Sequence, residues 1–426
     1  MSRLQTITGI DIGTYHVKVV ISATGEDGSY PKVIGTGTAE SRGLRHGYIT
    51  NVREVAKSVR AALDEAERRA DVKVKRAFVS VGGVGVSSFT STSSIIVSRA
   101  DSEISALDIQ KLTDQCRKDL PSSVTVNRKI LHEIPLSYKI DGRPVLGNPE
   151  GMKASKLEVK TLFITCLERH LNDLIATIEE AGVRVQDVMA APVAAGLVTL
   201  SKTQKIAGCI LANIGAETVS IAVFENNMPI SLEIFPIGST DITNDIALGL
   251  KVPLEEAEQV KIGAITGGSY PRKKLEEIIE ARLSDIFELI DAHLKKISRS
   301  GLLPAGIIIT GGGAGLGTIE DLARASLRLP SRVGSIHWQE RVTGTGGKTP
   351  ASDKTTGSTE KSSTERGGTE RIRDKQTYRD ATWAVAYGLC IFGASAEGAD
   401  TVGGSGTRAA GTAVKSFTNW VRQFLP

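Results

Sequence analysis

The sequence predicts an α/β fold of two similar lobes, with a small α+β subdomain inserted in the first. Two strand-turn-strand units, one over residues 5–22 and one opening at Ile206, head the two halves. Between them, the Ser- and Thr-rich stretch from about Gly85 to Leu162 departs from the pattern on either side. A chain of 426 residues, 40% of them hydrophobic, is long enough for two or more cores, since domains settle near roughly 100 to 200 residues.

In the first unit two strands meet at a turn around Gly13-Thr14, and the second strand, Val17 to Ser22, is rich in β-branched side chains. A third strand precedes Glu40. Val52, Val55, Ala56, Val59, Ala62, Leu63 and Ala66 then recur at helical spacing with Arg and Glu opposite, which predicts a helix over 52–69 lying on the sheet. The inserted stretch reads as strands, a helix over 106–117, and short strands around 130–140 and 156–165. A helix over 170–182 returns to the first core. In the second half, 254–260 and 275–297 read as helices and Gly306 to Thr310 as a buried strand. Residues 342–377 are nearly all Gly, Thr, Ser, Lys and Glu, cannot bury apolar area, and are expected to be disordered. A small-residue helix over 382–392, a Gly-rich linker and an amphipathic segment follow.

These elements divide the chain into a first-lobe core (1–84 and 163–203), the insertion (85–162), a second-lobe core (204–241 and 303–341) and a small subdomain (242–302). A disordered insertion (342–379), a return to the first lobe (380–396), a flexible linker (397–411) and a terminal helix (412–426) complete it.

Composition excludes several functions. The charge balance, 52 Lys and Arg against 48 Asp and Glu for a formal +4, is too even for a protein that coats nucleic acid. Cys116, Cys166, Cys209 and Cys390 lie far apart, with no CxxC and no His at ligand spacing, so neither zinc nor a disulfide framework is implied and a reducing cytoplasm fits. No apolar run approaches the roughly 20 residues that span a bilayer, and the first residues lack the build of a signal peptide.

The chemistry is carried by glycine-rich turns. Ile10-Asp11-Ile12-Gly13-Thr14 sets an acidic side chain and backbone amides at a tight turn, where glycine lets the chain approach a phosphate closely. Asp11 is placed to hold Mg²⁺ through water, and Lys18 to reach a β- or γ-phosphate as a point charge. Asn213-Ile214-Gly215-Ala216-Glu217-Thr218 repeats the design in the second half, so the two hairpins can face each other. Thr310-Gly311-Gly312-Gly313-Ala314 ends a buried strand and opens a helix, whose amides would meet an anion or a nucleoside edge. Each feature alone has a plain alternative, a turn or a packing glycine; their order along one chain points to a nucleotide.

That ordered set resembles the five signatures shared by actin, heat-shock chaperones, sugar kinases and the FtsA family of bacterial cell-division proteins. Asp11 to Lys18, with Gly13 and Thr14, matches the first phosphate motif, and Ala191-Pro192-Val193-Ala194-Ala195-Gly196 the first connecting helix. Asn213, Gly215 and Thr218 stand in the second phosphate motif, Ile308 to Ala314 in the adenosine motif, and Ala384 to Leu389 in the second connecting helix. Ser41-Arg42-Gly43 and Ile130-Leu131-His132-Glu133-Ile134-Pro135 favour the FtsA branch, as does the place of the insertion.

The resemblance implies a two-lobed actin-like ATPase fold with an FtsA-type insertion subdomain, and ATP with Mg²⁺ as cofactors. It places Glu258 and Lys261 beside the adenine, unless they form an ordinary solvated helix face. It implies head-to-tail self-assembly on the cytoplasmic face of the membrane at the septum, contact with later division proteins, and no nucleic-acid partner. The 242–302 subdomain would dock the C-terminal peptide of the tubulin-like FtsZ, with Arg282 as the chosen contact. A PilM-like pilus-assembly protein is the nearest rival, sharing the insertion but lacking the tail. A sugar or acetate kinase needs an acceptor pocket and a catalytic acid, for which no candidate stands out.

Two departures from the superfamily bear on chemistry. Asn213 replaces the usual Asp of the second hairpin, and Ala191 stands where many relatives carry a Glu or Gln that orients the attacking water. Phosphoryl transfer rests on positioning and charge placement, so the loss of both implies slow hydrolysis or none. Glu217, where Gly is usual, reads either as a substitute metal or water ligand or as a turn residue facing solvent or opposing the γ-phosphate.

In the tail, Val414, Phe417, Val421 and Phe424 recur at helical spacing beside Trp420 and Leu425, with Lys415, Ser416, Asn419 and Arg422 opposite. This suits a helix lying among lipid headgroups, cations toward an anionic surface. A helix docked on protein is the alternative; the Gly-rich leash before it favours the membrane.

Overall fold

The computed structural model describes residues 5–24, 31–98, 101–264, 270–340 and 375–400. Strands Gln5–Ile12, His16–Thr24 and Lys32–Glu40 form an antiparallel meander. Gln5–Ile12 also pairs in parallel with Arg76–Val81, which pairs in parallel with Arg184–Ala190. Helix Val52–Ala70 covers this sheet, capped by the Asn51 side chain and ended by Asp71 in the left-handed region. It buries Val55, Val59, Leu63 and Ala66. It sits so close that a Cβ on Gly37 would lie 1.9 Å from the Ala62 carbonyl oxygen.

The second lobe repeats the plan. Cys209–Ile214, Val219–Glu225 and Met228–Phe235 are antiparallel, and Cys209–Ile214 pairs in parallel with Ile307–Thr310. Helices Ser239–Leu250, Leu254–Lys261 and Arg272–Lys296 pack on one face over a core that includes Ile210, Ile221, Leu283, Phe287 and Ile290. The opposite face, with Leu211, Ala222, Phe224 and Leu232, joins the core of the first lobe. The lobes are therefore packed through apolar contact as well as connected by chain.

The insertion is a four-stranded sheet in the order Val86–Ile96, Lys156–Leu167, Arg128–Ile140, Arg143–Val145, with helix Ala106–Lys118 against it. Side-chain alternation divides its strands. Leu157, Val159 and Phe163 face a small core of its own, whereas Leu162, Ile164 and Cys166 face the first-lobe core.

Two expected boundaries are corrected. Of the segment 342–379 expected to be disordered, 342–374 lies outside the described residues, but Lys375–Asp380 is a strand paired residue for residue with Ser335–Glu340. Those two strands enlarge the first-lobe sheet to seven. Backbone pairing to a neighbour satisfies a segment that composition alone leaves without a partner. Likewise helix Ala384–Asp400 runs into the expected linker, 397–411, so its first four residues continue the helix. The rest of the linker and the terminal helix, with Val414, Phe417, Trp420, Val421, Phe424 and Leu425, lie outside the described residues. Among the described residues no helix is long and apolar enough to cross a membrane.

Candidate functional site

The two hairpin turns are built alike. The Gly13 amide donates to the His16 carbonyl at 3.1 Å, and the Gly215 amide to the Thr218 carbonyl at 2.8 Å. A Cβ at either glycine would come within 2.9 to 3.0 Å of that same carbonyl, so a side chain there would push the turn open. Both turns open on one cavity of about 1060 Å³ between the lobes.

All twelve residues expected to hold the cofactor line that cavity. Asp11, Gly13, Thr14 and Lys18 come from the first hairpin, Asn213, Gly215 and Thr218 from the second. Gly311, Gly312 and Gly313 form a third wall, and Glu258 with Lys261 a fourth. Ala191, at the start of its helix, lies on the same surface.

Asp11 is half-buried at the cavity wall. Burial raises its carboxyl pKa, and the Ser80 hydroxyl, donating to Oδ1 at 2.7 Å, together with Lys18 holds it back. Lys18 Nζ donates to the Thr382 carbonyl at 2.8 Å and lies 5.7 Å from the centre of the Trp383 ring. Its amine is thus seated just before helix Ala384–Asp400, at the cavity edge.

The glycine run serves two purposes. Gly311 has φ +89°, and a Cβ there would lie 2.3 Å from Asn213 Oδ1; one on Gly313 would lie 2.5 Å from Ile214 Cγ2. These two are demanded by packing on the second hairpin. At Gly312 a Cβ would meet open space.

Glu258 and Lys261 form an ion pair at 2.7 Å. The Thr243 hydroxyl donates to Glu258 at 2.6 Å, while Lys261 Nζ donates to Thr243 Oγ1 and to the Ser239 carbonyl. The Lys261 side chain is 7% exposed, which rules out a freely solvated face for it.

Glu217 follows neither of its two readings, a metal or water ligand or a turn residue facing solvent or the γ-phosphate. Its carboxylate accepts the His46 amide at 2.5 Å, in the other lobe, and it does not line the cavity. Arg282 is also engaged: its guanidinium donates to both oxygens of Asp245, at 2.7 and 3.1 Å, and to Asp285 at 3.1 Å. The Asp245 hydrogen bond raises its pKa further.

Sequence reasoning missed Ser80, Thr382 and Trp383, which touch the first hairpin's functional side chains from distant segments. Arg272, exposed and paired with Glu276 at 3.0 Å, stands at the mouth of the same cavity. Alternation along Arg76–Val81 could have turned Ser80 toward Asp11; nothing local marks the others. Among the described residues no three His, Cys, Asp or Glu side chains converge as a metal site.

Two repeated lobes, facing hairpin turns and an interlobe cavity define a protein of the actin-like ATPase fold. In agreement, the PilM-PilN type IV pilus biogenesis complex superposes with a TM-score of 0.56 over 77% of this chain and 87% of that one, at 16% identity, a likeness of fold. The chain belongs to the FtsA family. The model for "Cell division protein FtsA" matches residues 210–352, and that for "SHS2 domain inserted in FTSA" matches 83–165, the inserted subdomain. The cell division protein FtsA of Bacillus subtilis (strain 168) is 30% identical over 359 residues, 79% of this chain and 80% of that protein. That of Pseudomonas aeruginosa is 30% identical over 351 residues, 78% and 83% of the two chains.

Proposed function

We propose that this chain is an ATP-binding cell-division protein that assembles on the cytoplasmic face of the membrane at the septum and anchors FtsZ filaments there. The observation that carries the reading is the convergence of both hairpins and the Gly311 to Gly313 wall on one cavity in a chain of the FtsA family. The turn amides of Thr14 and Ala216, which line the cavity, would supply donors for phosphate oxygens, those of Gly13 and Gly215 closing their own turns. Asp11 would hold Mg²⁺ through water, the ion taking its remaining ligands from phosphate and water. A bound Mg²⁺ neutralises phosphate charge; the chain's own residues orient the nucleotide, with Glu258 and Lys261 fixed in place by Thr243 and Ser239.

Turnover is expected to be slow. Ala191 offers no group to orient water, Asn213 carries no charge, and Glu217 is turned to His46 and does not line the cavity. ATP then acts as an assembly ligand that stabilises the conformation it binds. FtsZ's C-terminal peptide would dock on the 242–302 subdomain near Arg282, and residues 412–425 would bind anionic lipid, gaining avidity when filaments display many copies. Contacts with later division proteins complete the reading.

The test compares the full chain with a truncation after Gly411. Both should bind ATP with Mg²⁺ and turn it over more slowly than roughly one per second, the lower end of the ordinary enzyme range. The full chain should carry FtsZ into the pellet with anionic liposomes, and the truncated chain should not. Absence of ATP binding overturns the cleft assignment; pelleting of the truncated chain overturns the anchor.

A further inference from the structure

The contact between Glu217 and His46 joins the lobes beside the cavity. On the second-lobe side, the hairpin tip is bound to its own lobe. The Ser239 amide donates to the Gly215 carbonyl at 2.9 Å and the Thr240 amide to the Ala216 carbonyl at 2.8 Å. A Cβ on Gly238 would lie 2.3 Å from that Ala216 oxygen, so the tip is seated without slack.

On the first-lobe side, His46 sits at the tip of a small hairpin, Leu44–Arg45 and Tyr48–Ile49, with φ +47° at His46 and +82° at Gly47. Histidine tolerates the left-handed region better than most residues, and this conformation presents its amide outward. Gly47 rests on Gly83, where a Cβ would lie 2.3 Å from the Gly83 Cα. Tyr48 stacks edge-on against His170 at 5.2 Å. The tip is therefore fixed to the base of the insertion and to the first-lobe core.

Between these two rigid tips, Glu217 makes two contacts. Its Oε2 accepts the His46 amide at 2.5 Å, and its carbonyl accepts from His46 Nδ1 at 3.2 Å, which sets the proton on Nδ1. Gly47 and Ala216, the immediate neighbours of the pair, line the cavity, whereas His46 and Glu217 do not. The carboxylate thus spans the rim of the cleft without reaching into it.

We propose that Glu217 is a positioning residue, a latch that holds the two lobes closed at the edge of the cleft and so limits how fast nucleotide leaves. The kinetic half rests on the nucleotide reading above; the latch itself does not. The hydrogen bond from the His46 amide is charge-assisted and part-buried, the kind that holds most strongly. Glutamine at 217 keeps an oxygen for that amide; alanine removes it.

Two measurements decide the matter. The four native cysteines are buried, so spin labels at Lys57→Cys and Ser326→Cys, both exposed and on helices of opposite lobes, report interlobe distance in the full chain. Without nucleotide, Glu217→Ala should broaden and lengthen the distance distribution, and Glu217→Gln should restore the wild-type one. Release of a fluorescent ATP analogue should be about ten-fold faster in Glu217→Ala, equivalent to about 1.4 kcal/mol, and within about three-fold of wild type in Glu217→Gln. An unchanged distance distribution in Glu217→Ala overturns the latch. If the wild type binds no analogue, the nucleotide reading fails, and the distance measurement still decides the latch.

Discussion

Replacing Gly388 by alanine should loosen the crossing on which the two-lobed fold depends. Helix Ala384–Asp400 meets helix Ala191–Thr199 at this residue, and a Cβ there would lie 2.0 Å from the Ala194 carbonyl oxygen and 2.6 Å from its carbon. Both atoms are backbone, so no rotamer change relieves the overlap. The helices must part by roughly 1 Å or more to restore ordinary contact, which forfeits much of the dispersion energy along the seam. Ala194, Ala195, Ala386 and Leu389 are all buried around it. Overpacking costs about 1 to 3 kcal/mol, and a backbone overlap belongs at the upper end. Alanine's better helix propensity offsets about 1 kcal/mol. A net loss of about 2 kcal/mol should lower the Tm by about 4 to 8 °C, at about 2 to 4 °C per kcal/mol for a unit of this size. Gly249→Ala in helix Ser239–Leu250 is the control, because its Cβ would meet only the movable end of Ile278. Its Tm should equal or exceed that of the wild type. Calorimetry that finds Gly388→Ala as stable as Gly249→Ala would refute the reasoning.

Three further outcomes follow from individual side chains. Burial raises the folded pKa of Asp11, so its contribution is favourable below the unfolded carboxyl pKa and lost as pH rises through the folded value. Asp11→Asn should accordingly raise the Tm of the ligand-free protein at neutral pH while reducing the Tm gain on adding ATP and Mg²⁺; a lower ligand-free Tm counts against this. Burial pushes the His132 pKa down to about 3, and its Nε2 accepts the Ala190 amide at 3.0 Å, so stability present above the ordinary value of 6.5 is lost as pH falls toward about 3. Urea midpoints should fall less steeply over that range in His132→Gln, and an identical slope refutes it. Arg282→Glu should weaken binding of FtsZ's acidic peptide without altering ATP affinity, and Asp245→Asn, by freeing the guanidinium, should strengthen it. Anisotropy titrations that leave both variants at wild-type affinity would move the docking site elsewhere.

Much of the fold was legible because its signals are local. The apolar stripe of residues 52–69, the β-branched strand at 17–22 and the glycine turns at 13 and 215 each declare themselves within a few residues, and the helix is seen at Val52–Ala70. The hairpin residues of the cavity were legible because a turn between two strands brings its glycines and neighbouring amides to one end of the sheet, whereas Glu258 and Lys261 were placed only by the family resemblance. What escaped lies far apart in sequence. Lys18 meets Thr382, and Glu217 meets His46, through contacts that no periodicity encodes. Arg282 was singled out for its charge, but its partner Asp245 stands in a separate helix, Ser239–Leu250. The strand at Lys375–Asp380 shows the same limit, since its composition matches a linker and its pairing with Ser335–Glu340 comes from the other side of an insertion.

The energies at the cleft are of matching size, and that match ties closure to ligand. A nucleotide held between the Asp11 and Asn213 hairpins touches both lobes, so it favours closure by the contacts that opening would remove. At a concentration about 100 times its Kd, such a ligand adds about 2.7 kcal/mol to the state it binds. A hydrogen bond to a charged group, such as that from His46 to Glu217, contributes about 1.5 to 3 kcal/mol. With the latch intact, part of the bias toward closure is already supplied and the ligand adds to it. Without it, closure should depend on the ligand: spin-labelled Glu217→Ala should be broad when free and should narrow to the wild-type distribution at saturating ATP and Mg²⁺. A variant that stays broad at saturation would mean that the ligand and the latch act on different motions, and the coupling argued here would be wrong.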